Sequence, residues 1–352
     1  MTDTFIRTEM THNRKEIISG ILRWSVAAAL TVLLLWILFR KVNFADMMEI
    51  IRHGVNYWWI LAAMGLSVVS HMIRARRWQL QLDTLGIRPG YMALCCSIFG
   101  CYALNIVFPR LGDIWRCTYI SKREKASFSN VFGSMVSDRL ADSVTVLFLF
   151  FLTLAVATSA INSFLEKYPV GRDIVGLLYS PWLWIGLAAG VILCVLGYRH
   201  WRDTRLMGKL RAIISDLWKG FATVITMRRR GQFILLTILL WGCYYTQLYL
   251  AFFAFPFTRE LCVQPSLGYG LVPCLVAFVL SSIAMGIPSN GGLGPWNIAI
   301  MFGLAIYGVS EAQGTAFSML QWSGQTVMLI ILGLFTIAWI LRDSRHNRAI
   351  RS

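Results

Sequence analysis

Charge is scarce in this chain, and acidic charge scarcest of all. Only 14% of its 352 residues are charged, against 57% hydrophobic, and 17 acidic side chains face 33 basic ones. Soluble domains carry about 25% charged and 45–50% apolar residues, so this composition excludes a water-exposed fold. Cysteine is used without pattern: there are eight, with no Cys-x-x-Cys or His–Cys spacing of a metal site. Cys95, Cys96, Cys101, Cys194, Cys243 and Cys274 stand in apolar runs, where a thiol packs as a small hydrophobe. Neither metal nor cofactor is expected. The first apolar run lacks a small-residue cleavage site, which argues for a retained span over a signal peptide. A compact basic domain is also missing. The formal charge of +16 is spread over polar connections, so nucleic acid is not the expected partner.

What the chain does have is long apolar stretches, at 26–39, 144–160, 233–255 and 327–341. With their flanks they reach the roughly 20 residues that cross a ~30 Å hydrocarbon core. Basic residues near span ends stay cytoplasmic. That places four stretches on the cytoplasmic side: the N-terminal segment 1–22 with Arg23, the connection bearing Arg74, Arg76, Arg77 and Arg88, the stretch 199–231, and the tail 342–352. The segments 42–57, 161–181 and 256–268 are poorer in Lys and Arg and read as external.

Parity then orders the spans: 26–39 outward, 57–73 inward, 131–160 outward, 182–198 inward, 233–255 outward, 312–341 inward. Two pieces remain, 91–129 and 269–310, each an apolar helix, a Pro–Gly break and a less apolar return. The first break runs from Asn105 through Pro109 to Asp113; the second runs from Pro288 through Gly291, Gly292 and Gly294 to Pro295. Irregular backbone at membrane depth survives only where protein buries it or water reaches it. Each piece is therefore a re-entrant hairpin or a broken-helix pair, although two complete crossings satisfy parity equally. The predicted fold is an all-α polytopic membrane protein with about six full spans plus two hairpins. The half-repeats 57–160 and 233–341 are related by inverted topology, as in many secondary transporters.

Ionisable groups inside a bilayer cost at least ~2.5–3.5 kcal/mol each and mark functional places. Arg110, Asp113 and Arg116 stand at the first break, and Asp138, Arg139 and Asp142 early in the next span. Helical spacing puts Asp113 with Arg116, and Asp138 with Asp142, on common faces. The arginines suit a lipid phosphate, because a planar guanidinium donates bidentately; the same residues also suit an interior salt-bridge set pinning hairpin to helix. Arg74 and Arg77 add either to a basic entrance or simply to the positive-inside pattern. The glycines of the second break would free backbone donors beside a helix start, where anions are favoured. The basic, amphipathic stretch between Arg199 and Arg230 suits anionic headgroups at the interface, and Asp46, Met47, Glu49 and Ile50 suggest a shorter external counterpart.

At these residues the chain resembles the lysylphosphatidylglycerol synthase transmembrane-domain family, also called flippase-like. The family's Arg–Trp helix end is matched by Arg74, Arg77 and Trp78. Its Asn…Pro-Gly-Arg-x-Gly-Glu-x-x-Arg is matched by Asn105, Pro109, Arg110, Gly112, Asp113 and Arg116. Asp138, Arg139 and Asp142 follow its Glu-Arg-x-x-Asp, and Pro288, Gly291, Gly292 and Gly294 its Pro-x-Pro-Gly-Gly-x-Gly-x-x-Glu. Asp113 and Asp138 replace family glutamates with charge kept, whereas Asn290 and Asn297 replace a proline and a glutamate. The resemblance implies movement of phosphate-bearing lipids, aminoacyl-phospholipids or polyisoprenoid-linked sugars, between leaflets of a bacterial inner membrane. The chain ends at Ser352 soon after the last apolar run, so a stand-alone transporter without the aminoacyl transferase domain is expected. The expected partners are membrane lipids and a lipid-modifying enzyme. Two rival readings follow from the residues. One is a glycosyltransferase using a lipid-linked sugar, with Asp46 and Glu49 as its candidate carboxylates. The other is a non-catalytic scaffold that presents lipid through the basic stretch.

Overall fold

The computed structural model describes residues 54–158 and 222–349, with a few isolated positions outside them. The expected spans at 26–39 and 182–198, the short external segment around Asp46, and most of the basic stretch lie outside the described residues. All regular structure among the described residues is helical, and apart from a single turn at Thr223–Thr226 and two short 3-10 turns it comprises α1 (Tyr57–Thr84), α2 (Tyr91–Val107), α3 (Leu111–Arg123), α4 (Phe128–Val156), α5 (Arg230–Phe252), α6 (Pro256–Cys262), α7 (Leu271–Ala284), α8 (Pro295–Ala305) and α9 (Glu311–Ala349). Among the described residues five helical segments are long and apolar enough to cross a membrane: Tyr57–Thr84, Phe128–Val156, Arg230–Phe252, Pro265–Ala284 and Glu311–Asp343. The protein is a multi-pass helical membrane protein.

Its surface is inverted relative to that of a soluble bundle. Val144, Phe148 and Phe151 on α4, Ile234 and Ile238 on α5, and Ile331, Leu334 and Ile337 on α9 are all exposed, while Ser67, His71, Arg74, Arg77 and Gln81 of α1 are buried. Lipid solvates the apolar side chains, and polar groups must find partners inside.

One boundary differs from expectation. The apolar run predicts that α1 closes at 73, with Arg74, Arg76 and Arg77 in a loop. Instead the helix continues unbroken to Thr84, because Arg74 and Arg77 meet carboxylates of α4 and need no water.

Both breaks are turns between antiparallel helices. α2 ends at Val107 with Phe108 as its C-cap, and Arg110 adopts a left-handed φ of 67° before α3 begins. The legs touch so closely that a Cβ on Gly112 would lie 2.0 Å from the Cys101 carbonyl oxygen. Gly112 N–H donates to Asn105 Oδ1 at 2.9 Å, so Asn105 ties the hairpin shut. In the second hairpin a Cβ on Gly303 would meet Ala277 Cα at 2.7 Å. The return legs α3 and α8, with 13 and 11 residues, are only ~20 and ~16 Å long, shorter than a ~30 Å hydrocarbon core.

The hairpins start from opposite ends of the bundle and meet at their tips. α2 begins beside the far end of α1, where Gln79 donates to the Pro89 carbonyl. α7 begins beside the end of α5, where Tyr245 donates to the Leu271 carbonyl. At the meeting point Arg110 Nη2 donates to the Gly286 carbonyl at 3.1 Å, and Gly291 faces Ile106. Trp322 of α9 holds the second tip through the Gly291 carbonyl. Exposed basic residues collect at one end of the bundle: Arg76, Arg88, Lys122, Arg123, Lys125 and Arg228 to Arg230. Exposed Tyr57, Trp58 and Tyr269 mark the other.

Candidate functional site

The polar centre grows out of α1. Ser67, Ser70, His71, Arg74, Arg77 and Gln81 recur every three or four residues, so they stack on one buried face. α4 opposes that face with Asp138 and Asp142, one turn apart. Arg74 reaches Asp138 at 3.1 Å and Asp142 at 2.8 Å; Arg77 reaches them at 2.7 and 2.8 Å. Each aspartate bridges two arginines, so the four charges close into a ring. α5 supports it from the side: Arg74 Nε donates to Tyr244 Oη at 3.1 Å, Trp241 Nε1 donates to Asp142 at 3.3 Å, and the Arg77 guanidinium lies over the Phe233 ring.

A second group adjoins the ring through α4. Arg139, on the turn between the two aspartates, donates to Asp113 Oδ1 of α3 at 2.9 Å. Arg116 comes within 3.5 Å of the same oxygen and lies over the Trp78 ring at 4.8 Å. Asp113 thus serves two arginines at once. Arg116 is fully buried, yet among the described residues none of its guanidinium nitrogens finds a hydrogen-bond partner. The side chain of Arg139 is 33% exposed, which makes it the accessible face of the group. Among the described residues, four guanidiniums against three carboxylates leave one positive charge uncompensated. A buried charge is costly unless it is paired and hydrogen-bonded, and Arg116 and Arg139 carry that cost.

A groove of about 1000 Å³ runs beside the ring between α4, α5 and α7, lined by Ala141, Val144, Phe148, Ile234, Ile238 and Leu275 among others. Phe233, Thr237 and Trp241 line it as well, and these are the residues through which α5 touches Arg77 and Asp142.

Of the residues singled out in the sequence, Arg74, Arg77, Asp113, Arg116, Asp138, Arg139 and Asp142 come together. Asn105 stands beside them as the hairpin tie, and Arg110 sits apart, exposed at the tip. Gly291, Gly292, Gly294 and Asn297 form the other tip. There Gly294 N–H donates to Asn297 Oδ1 at 3.1 Å, so this helix start is capped by its own side chain. Among the described residues no hydrogen bond or ion pair joins these four to the charged cluster. Sequence reasoning missed His71, Tyr102, Trp241 and Tyr244. The first was accessible, since it belongs to the three-and-four spacing of polar residues on α1; the aromatic partners carry no such signal.

Buried charge on helices with apolar outer faces defines a membrane protein with an internal polar site. Residues 24–333 match the family described as the lysylphosphatidylglycerol synthase TM region, and the chain belongs to that family. Membership ties it to a role with membrane lipids. Neither the curated proteins nor the solved structures compared with it contain a match.

Proposed function

We propose that the protein is a flippase-like transporter that moves a phosphate-bearing lipid between leaflets of a bacterial inner membrane, with its basic end cytoplasmic. The observation that carries this reading is the surplus guanidinium in a protein-walled place: Arg116 is buried with no hydrogen-bond partner among the described residues, and Arg139 is partly open beside it. A phosphate oxygen is the acceptor that such donors lack. In this reading Arg139 and Arg116 take the phosphate, and Asp113 orients both. The Arg74–Arg77–Asp138–Asp142 ring holds α1 and α4 in register around the passage. Arg110, at the junction of the hairpin tips, guards the way between the two sides. The apolar groove of α4, α5 and α7 accommodates acyl chains while the headgroup passes. The capped start of α8 makes the second hairpin a wall, with Gly291, Gly292, Gly294 and Asn297 shaping its tip.

Proteoliposomes carrying a fluorescent phospholipid provide the test, with exposure to dithionite reporting redistribution. Arg139→Ala is expected to slow flipping by tenfold or more, as loss of a hydrogen bond to a charged group of about 1.5–3 kcal/mol implies, while elution and melting stay near wild type. Unchanged flipping in Arg139→Ala combined with Arg116→Gln would remove both residues from the passage. New product from a lipid-linked sugar, with no redistribution, would favour the glycosyltransferase reading.

A further inference from the structure

His71 stands one turn before Arg74 on the polar face of α1 and is only 4% exposed. Among the described residues neither ring nitrogen has a hydrogen-bond partner. Buried polar groups are nearly always satisfied, so an imidazole idle at both positions beside an ionic cluster requires an account. Its ring stacks on Tyr102 of α2 at 4.6 Å, and the Arg139 guanidinium lies over that same tyrosine ring at 6.0 Å. His71 and the open arginine thus both contact one aromatic ring.

The charged and titratable groups around it can be taken element by element. α1 contributes Arg74; α2 contributes Tyr102 and Cys101; α3 contributes Asp113 and Arg116; α4 contributes Asp138, Arg139 and Asp142; α5 contributes Tyr244, bonded to Arg74. From α9 come uncharged groups, Gln325 bonded to Ser67 and Met328 packed on Met64. Every carboxylate in this set is already engaged by two arginines, so none is free to receive an imidazolium. A proton on His71 would place a second uncompensated positive charge in a buried site, at high cost. An anion bound at Arg116 and Arg139 removes that obstacle.

We infer that anion binding at the arginine face is coupled to uptake of one proton from water by the His71 ring. The inference rests on the reading above, that a phosphate-bearing headgroup occupies this face, and adds an ion to the cargo. Linkage is reciprocal: if the anion favours the proton, the proton favours the anion by the same factor. Histidine is the side chain whose ordinary titration range lies between about pH 5 and 8, and the negative charge of the bound anion is what offsets the cost of a buried imidazolium. A lipid that binds with a proton and leaves without it is one that a proton gradient can drive.

The test is binding of labelled phosphatidylglycerol to the purified full-length protein, because its phosphodiester is a strong acid with no second ionisation and keeps one negative charge across the titration range of histidine. Wild type is expected to bind up to about tenfold more tightly for each pH unit of acidification, the limit for one linked proton. His71→Gln is expected to bind with the wild-type affinity of high pH and to show no slope. An equal slope in His71→Gln, or a flat wild-type profile alongside good binding, would overturn the coupling and leave the transport reading standing. If no phosphatidylglycerol binds at any pH, the headgroup reading fails and the coupling fails with it. Proton uptake on lipid addition to wild type in weak buffer gives a readout independent of the variant's folding. A fractional uptake of up to one proton per lipid is expected, and none would refute the proposal.

Discussion

Asp138→Ala is expected to destabilise the protein by about 3–5 kcal/mol, the usual cost of stripping one partner from a buried ionic group. Asp138 is fully buried, as is Arg77, and Arg74 is 3% exposed. Its removal leaves two buried arginines sharing Asp142 alone. The loss of attraction is only part of the penalty; the larger part is the charge left behind. A second substitution therefore works against the first. Asp138→Leu with Arg77→Met removes one charge of each sign, keeps Arg74 on Asp142 at 2.8 Å, and fills the volume with apolar atoms. That pair is expected to be more stable than either single change, since replacing a whole buried pair by hydrophobes is often neutral. Reversible unfolding in mixed micelles of mild detergent and dodecyl sulfate measures all four corners of the cycle. Additive losses would mean that the ring contributes no coupling. The double variant has a further use. If it is well folded yet does not flip lipid, the ring serves the passage as well as the architecture.

Much of this site was readable from residue order, because in a membrane protein a charged side chain within an apolar run announces itself. Asp138, Arg139 and Asp142 were visible in this way, as were Asp113 and Arg116 after the Pro109 break. The breaks themselves were visible because proline and clustered glycine interrupt a helix whatever surrounds them. Arg74 and Arg77 were misplaced for a physical reason. An arginine at the end of an apolar run normally marks water, and only the aspartates 61 to 68 residues along the chain turn it into a core residue. Nothing local to α1 carries that information except the spacing of its polar residues. At the second break Asn297 accepts from the Gly294 N–H within α8 and donates to the Met319 sulfur, contacts that no local pattern in the sequence reveals. The span count was readable only in part, since run length cannot tell a ~20 Å return leg from a crossing when its partner helix is long.

Gly112→Ala is expected to be the most damaging single-methyl change in the first hairpin. The added carbon would sit 2.0 Å from the Cys101 carbonyl oxygen and 2.8 Å from Asn105 Oδ1. The first of these is backbone in the middle of a helix and cannot rotate away. The hairpin must open by more than an ångström to admit it, and overpacking of this kind costs about 1–3 kcal/mol. The damage extends to the site, because Asp113 is the next residue and its carboxylate reaches Arg139 only while α3 lies close to α2. Loss of lipid flipping is therefore expected to exceed what the fall in melting temperature alone predicts. Gly65→Ala is the matched control: it lies in α1 with nothing within 4 Å of the added carbon, and alanine in a helix interior is favoured over glycine by about 1 kcal/mol. Asn105→Ala added to Gly112→Ala distinguishes the two clashes. It removes the amide oxygen and leaves the Cys101 carbonyl in place, so stability is expected to stay low. Recovery in that double variant would show that the tie at Asn105, and not the backbone of α2, sets the distance between the legs.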